Sequence, residues 1–246
     1  MISSSSFCAD DVEELSPLIF EAFRQVAEAR GFTPDFLCSE EVRTMLQHYV
    51  RMGEDCLGIV LRDEKRVIVG GNFACHEGDS VFCVGPVFAT KEAPPGTGRR
   101  VMHEIMDLTK AKGCRSLRLT QAGYNMVSLS LYIKMGFVVR EHLSAVDVIA
   151  LRHDLEIPSG TRARIATKKD IESMEKLCFA SHGHVRRLDI RDTVEEGEAA
   201  VVEGPCGQVK GYCTSCGPEG HAVAESNDYL FAGLFFLFFF GTIFLK

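Results

Sequence analysis

The sequence predicts an α/β protein of the α+β kind, with a mixed sheet carrying helices on both faces. Three observations predict it. Two amphipathic helical stretches come first, followed by three β-rich runs separated by turn residues. A glycine turn then opens another amphipathic helix, and strand, helix and strand follow. At 46% hydrophobic and 25% charged residues, the 246-residue chain has the composition of a folded protein of one large or two small domains.

The first helix is expected over 10–30. Asp10 or Asp11 caps it, Glu13 and Glu14 favour its positive end, and Leu15, Ile19 and Phe23 recur at helical spacing. Pro17 either sits in the first turn or divides the segment, and Gly31 ends it. The second helix is expected over 39–52, capped by Ser39, with Val42, Met45, Leu46 and Tyr49 on its apolar face. Three strands follow, CLGIVLRD, RVIVGGNFACHE and VFCVGPVFA, with turns at Asp63–Lys65 and Glu77–Asp79. Val101, Ile105 and Leu108 form the stripe of a helix over 99–112, which Gly113 stops. SLRLT reads as a strand, 128–134 as a short helix closed by Gly136, and FVVREHL as a last strand.

Two motifs point to chemistry. Pro94-Pro95-Gly96-Thr97-Gly98-Arg99-Arg100 is a glycine turn running into a helix. Such a turn aims backbone N–H groups and a positive helix end at an anion, with Arg99 and Arg100 adding charge. No Gly-Lys-Ser/Thr follows, which excludes a P-loop, and the dinucleotide fingerprint is also missing. The second motif is the stretch from Asn125 to Phe137, with Tyr132 four residues before Gly136-Phe137. By themselves these residues leave room for a plain tight turn, a capping Asn125 and a core Tyr132.

Together, the two motifs and the element order resemble the GNAT superfamily of N-acetyltransferases, over about residues 7–150. The resemblance implies the GNAT acyl-CoA N-acyltransferase fold and acetyl-CoA as co-substrate. It implies direct transfer of acetyl to a primary amine of a small molecule or peptide. It assigns the phosphate loop to Gly96, Thr97, Gly98, Arg99 and Arg100, and a splayed strand that binds pantetheine to Val87, Phe88 and Ala89. It makes Asn125 a CoA contact and Tyr132 the general acid that protonates the leaving thiolate. The family pattern has Gln or Arg where Ala93 stands, and Pro94 and Pro95 carry no N–H, so this loop offers fewer donors than the family norm. His76, Glu77 and Asp79 are candidates for the base that takes the amine proton; a solvated hairpin tip explains them equally well. A non-catalytic CoA-sensing or partner-binding module is the alternative.

Residues 160–228 resemble the N-terminal half of a second GNAT-like unit, as in tandem GNAT proteins, without a second glycine loop. RARIAT, EAAVVEG, VKGYCTS and HAVAE read as strands and 168–180 as a helix. Residues 229–246 form an apolar tail, YLFAGLFFLFFFGTIFL and a final Lys246. A membrane anchor, a buried strand pair and sequence foreign to the domain are its three readings. A net charge of −7 gives no basic face for nucleic acid. The N-terminus has no secretory pattern, so the ten cysteines are expected as reduced, mostly buried thiols in the cytoplasm. Cys206, Cys213, Cys216 and His221 are weighed as zinc ligands; without a second Cys-x-x-Cys pair, no metal is expected.

Overall fold

A computed structural model describes residues 2–143, 159–214 and 220–237. The chain divides into two compact units, one of residues 1–76 and 80–143, the other of residues 77–79 and 144–246.

In the first unit, β1 (Ser3–Ser6), β2 (Cys56–Arg62), β3 (Ile68–Gly78), β4 (Val81–Val84) and β6 (Ser116–Arg118) lie side by side in that order. β5 (Phe88–Ala89) pairs with β3. β1–β2 and β2–β3 are antiparallel, whereas β4 and β6 run parallel across the crossover made by α3 (Thr97–Ala111). α1 (Val12–Glu28) and α2 (Ser39–Met52) precede β2, and α4 (Met126–Lys134) follows β6.

The core forms where helical spacing meets strand alternation. Leu15 and Ile19 of α1 and Val42 and Leu46 of α2 are fully buried with Val60, Ile68 and Phe73 of the sheet. α1 runs straight through Pro17, because the ring removes one amide in the second turn while Leu15 and Ile19 hold the helix to the core. Ser39 is the first helical residue of α2 rather than its cap, which is Cys38. β1 was invisible to apolar patterning: four exposed serines pair with β2 through their backbone, and the Ser3 hydroxyl adds a bond to Arg62 O at 3.4 Å.

The expected strand FVVREHL is not formed over 137–143. Its apolar run is only Phe137-Val138-Val139 before three polar residues, so it offers no alternating face, and Val138, Val139 and Leu143 are exposed. Residues 144–150, the end of the expected first domain, lie outside the described residues.

The second unit has an antiparallel sheet ordered β10 (Ala222–Ala224), β9 (Val209–Cys213), β8 (Ala200–Glu203), β7 (Arg162–Ile165). Its helices are α5 (Ile171–His182), α6 (Arg187–Glu196) and α7 (Asn227–Phe236). α6 was not anticipated among its charges; the i, i+4 pair of buried Ile190 and Val194 and the left-handed Gly197 at its end were the signal. α7 corrects the strand-pair reading of the tail over 229–236: this segment is helical, and Leu237 is buried with Ala200 and Cys213. Residues 238–246 lie outside the described residues, and no described helix is long and apolar enough to cross a membrane.

Asp170, at the start of α5, is buried and gripped by both outer nitrogens of Arg164 at 2.8 Å, with Thr167 donating from backbone and side chain at 2.8 Å. The Arg164 guanidinium, chiefly, holds its carboxyl at about 2, below the usual 3.8. A depressed acid stabilises the fold above its unfolded pKa and stops doing so as pH falls through the folded one. Acid titration followed by circular dichroism is therefore expected to show about 2 kcal/mol lost between roughly pH 4 and pH 2, and Asp170→Asn is expected to flatten that step.

Candidate active site

The last turn before α3 is closed on one carbonyl. Thr97 donates both its amide, at 3.2 Å, and its hydroxyl, at 2.8 Å, to Pro94 O. Gly96 caps the helix at φ 92°, a left-handed conformation that glycine adopts without strain. Arg100 N–H to Gly96 O, 3.0 Å, is the first helical bond. The helix geometry thus leaves the Gly98 and Arg99 amides without an acceptor inside α3, at its positive end.

Beside this end lies an open groove of about 410 Å³ lined by Arg99, Met126, Val127, Ser130, Leu131 and Lys134. Arg99 and Lys134 give it positive charge. Arg100 turns elsewhere: its Nε donates to Glu104 at 2.7 Å and its Nη1 to Ile2 O at 3.2 Å. Of the two arginines expected at the anion, Arg99 is the one that lines the groove.

The strand expected as one run, VFCVGPVFA, is broken in the middle. Gly85 N–H donates to Phe73 O, while Phe88 stands opposite Gly71. Pro86 and Val87 therefore share a single partner position, Asn72, which makes a β-bulge. Buried Asn72 repairs part of the ladder, its Oδ1 accepting the Phe73 amide at 2.8 Å. β6 follows β4 only as far as Cys83 opposite Arg118, so the sheet opens beyond that point. Thr90 gives its amide to Val69 O, so strand alternation turns the amide of Ala89 to the open edge. The buried Phe88 ring packs over Gly71 instead.

Tyr132 packs beside Val84 and Leu117, on the two strands that part here. It is buried with Val84 and Met102, among Val87 from the bulge, Leu117 from β6 and Leu119 just after it. Phe137 lies beside it, ring centroids 5.9 Å apart. Burial pushes the phenol above its ordinary pKa, and a hydrogen bond with Ser128 pulls in the opposite direction. Asn125 is the cap of α4, its Oδ1 accepting the Ser128 amide at 3.2 Å. Asn125, Ser128 and Tyr132 thus form one chain of contacts. Ser128 was missed in the sequence, although its position one helical turn before Tyr132 was the available signal.

The base candidates have partners of their own. His76 Nδ1 is 3.4 Å from Asp55 Oδ1. Glu77 and Asp79 belong to the second unit, where Glu77 stands 3.7 Å from the Arg186 guanidinium. Of the weighed zinc ligands, three lie among the described residues. Cys206 is exposed, Cys213 is buried beside Ala200 and Leu237, and Cys216 lies outside the described residues. His221 Nε2 meets Tyr212 Oη at 2.8 Å, and burial, chiefly, holds its imidazole pKa down at about 3. Among the described residues, no group of three His, Cys, Asp or Glu side chains is arranged to hold a metal.

No family model matches the chain, and no curated protein matches it in sequence. Solved structures match it in fold. The PaiA N-acetyltransferase of Thermoplasma acidophilum in complex with coenzyme A is 17% identical, over 58% of this chain and 92% of its own, at a TM-score of 0.50. A mutant protein of Bacillus halodurans is 16% identical, over 60% of this chain and 99% of its own, also at 0.50. The fold is the mixed α/β fold of the GNAT acetyltransferases.

Proposed function

We propose that this chain is an acyl-CoA-dependent N-acyltransferase, moving acetyl from acetyl-CoA to a primary amine. The observation that carries the reading is the convergence of Tyr132 with the bulged, open strand at Val87–Ala89, beside a helix N-terminus whose first amides have no acceptor within the helix. The Gly98 and Arg99 amides, with Arg99 and Lys134, suit the pyrophosphate. The Ala89 amide suits the pantetheine or the thioester oxygen, where a donor in a dry cleft stabilises developing negative charge. The amine attacks as the neutral base, its carbon–nitrogen bond replacing the carbon–sulfur bond. The phenol of Tyr132, kept protonated by burial, gives its proton to the departing thiolate. The amine gives up one proton to water, and Tyr132 takes a proton back from water, so none is released overall.

A second reading is a module that binds CoA without turnover. The loop favours it, since Pro94 and Pro95 have no amide and that of Thr97 is bonded within the turn. Thiol release from acetyl-CoA, followed across a panel of polyamines, aminoglycosides, arylamines and peptide N-termini, is expected to show turnover with at least one acceptor class. Tight CoA binding with no turnover on the whole panel supports the second reading, and no binding at all sinks both.

A further inference from the structure

We propose that Cys56 and Cys75 are a site of reversible oxidative modification, forming a cross-strand disulfide on exposure to a peroxide. The two residues are direct register partners of β2 and β3, and their sulfurs stand 2.9 Å apart. Neighbouring thiols on one face of an antiparallel pair meet the distance requirement for bridging without backbone movement. Just beyond this pair, His76 Nδ1 lies 3.4 Å from Asp55 Oδ1.

Exposure divides the labour. Cys56 is buried in the core beneath α2, whereas Cys75 is half-buried at its margin. The Cys75 thiolate meets the peroxide, cleaving its O–O bond to give a sulfenic acid and hydroxide. The Cys56 thiolate then attacks that sulfur, the S–S bond forms, and a second hydroxide leaves. With the two thiol protons, peroxide is reduced to two waters and the pair of sulfurs gives up two electrons. The link closes the segment 56–75, which carries Gly70 and Asn72 beneath the bulged strand.

The test uses the reduced full chain treated with a small excess of hydrogen peroxide. Denaturing maleimide labelling is expected to fall from ten thiols to eight, and a non-reducing peptide map to recover the 56–75 cross-link, reversed by dithiothreitol. Closing a loop of this length is expected to raise Tm by roughly 5 °C. The same dose on urea-unfolded protein is expected not to select this pair. Cys56→Ala, which keeps the core apolar, is expected to leave Cys75 as sulfenic acid, trappable by dimedone. Linkage of another pair at comparable yield overturns the proposal. So does stable sulfinic acid on Cys75 beside an intact Cys56 thiol, or thiol loss confined to exposed Cys8, Cys38 and Cys206.

Discussion

Tyr132→Phe is expected to lower kcat for acetyl transfer about a hundredfold, the lower range of general-acid contributions, with CoA affinity unchanged within about twofold. The phenyl ring keeps the packing against Val84, Met102 and Phe137, so only the hydroxyl and its bond with Ser128 are lost. One such bond is worth about 1 kcal/mol, or a Tm decrease of roughly 2–4 °C. Because burial raises the phenol above its ordinary value, Tyr132 is protonated throughout the neutral range. An acid that must be protonated acts below its pKa, so the wild-type kcat profile is expected to carry no tyrosine limb below about pH 10. Ser128→Ala removes an interaction that lowers this pKa, leaving a weaker acid and a smaller loss in kcat than Tyr132→Phe. Wild-type kcat in Tyr132→Phe, by steady-state kinetics and isothermal titration with CoA, would make this tyrosine a core residue only.

In the first unit the helices were legible because their signals are local. α2 spans 39–52, where the spacing of Val42, Met45 and Leu46 places it. The Asn125-to-Phe137 motif likewise becomes a capped helix that buries Tyr132. The pieces that escaped depend on partners distant in sequence. β1 is a strand because β2 offers an edge, not because four serines favour one. The bulge at Pro86 and Val87 exists only as a mismatch with β3, although a Gly85-Pro86 pair inside an apolar run was its trace. FVVREHL failed in the opposite sense, since β-branched residues do not make a strand where no ladder receives them. At the site, Tyr132 and the glycine turn were readable as types in a pattern. The commitment of Arg100 to Glu104 was not, because it depends on which way two adjacent side chains leave one helical turn.

Gly70→Ala is the second large effect expected, and it tests how the two halves of the site are held in place. A Cβ at Gly70 would stand 2.8 Å from the Thr97 methyl and 2.9 Å from Phe88 O. Neither can move freely: Thr97 is buried and bonded twice to Pro94 O, and Phe88 O is backbone in a strand paired with β3. The added methyl must push the first turn of α3 away from β5, so the anion-binding amides and the thioester strand part company. Overpacking of this kind costs about 1–3 kcal/mol, or a Tm decrease of roughly 3–10 °C. CoA affinity is expected to fall at least about tenfold, since a site held by several amides loses them together when its helix shifts. Gly123→Ala is the control, because a Cβ there meets nothing within 4 Å. Titration calorimetry and thermal melts of both variants separate the outcomes. If Gly70→Ala loses stability but keeps CoA affinity, the close approach serves the core alone. If it loses affinity beyond what its Tm explains, the glycine of β3 sets the distance between the phosphate turn and the thioester strand.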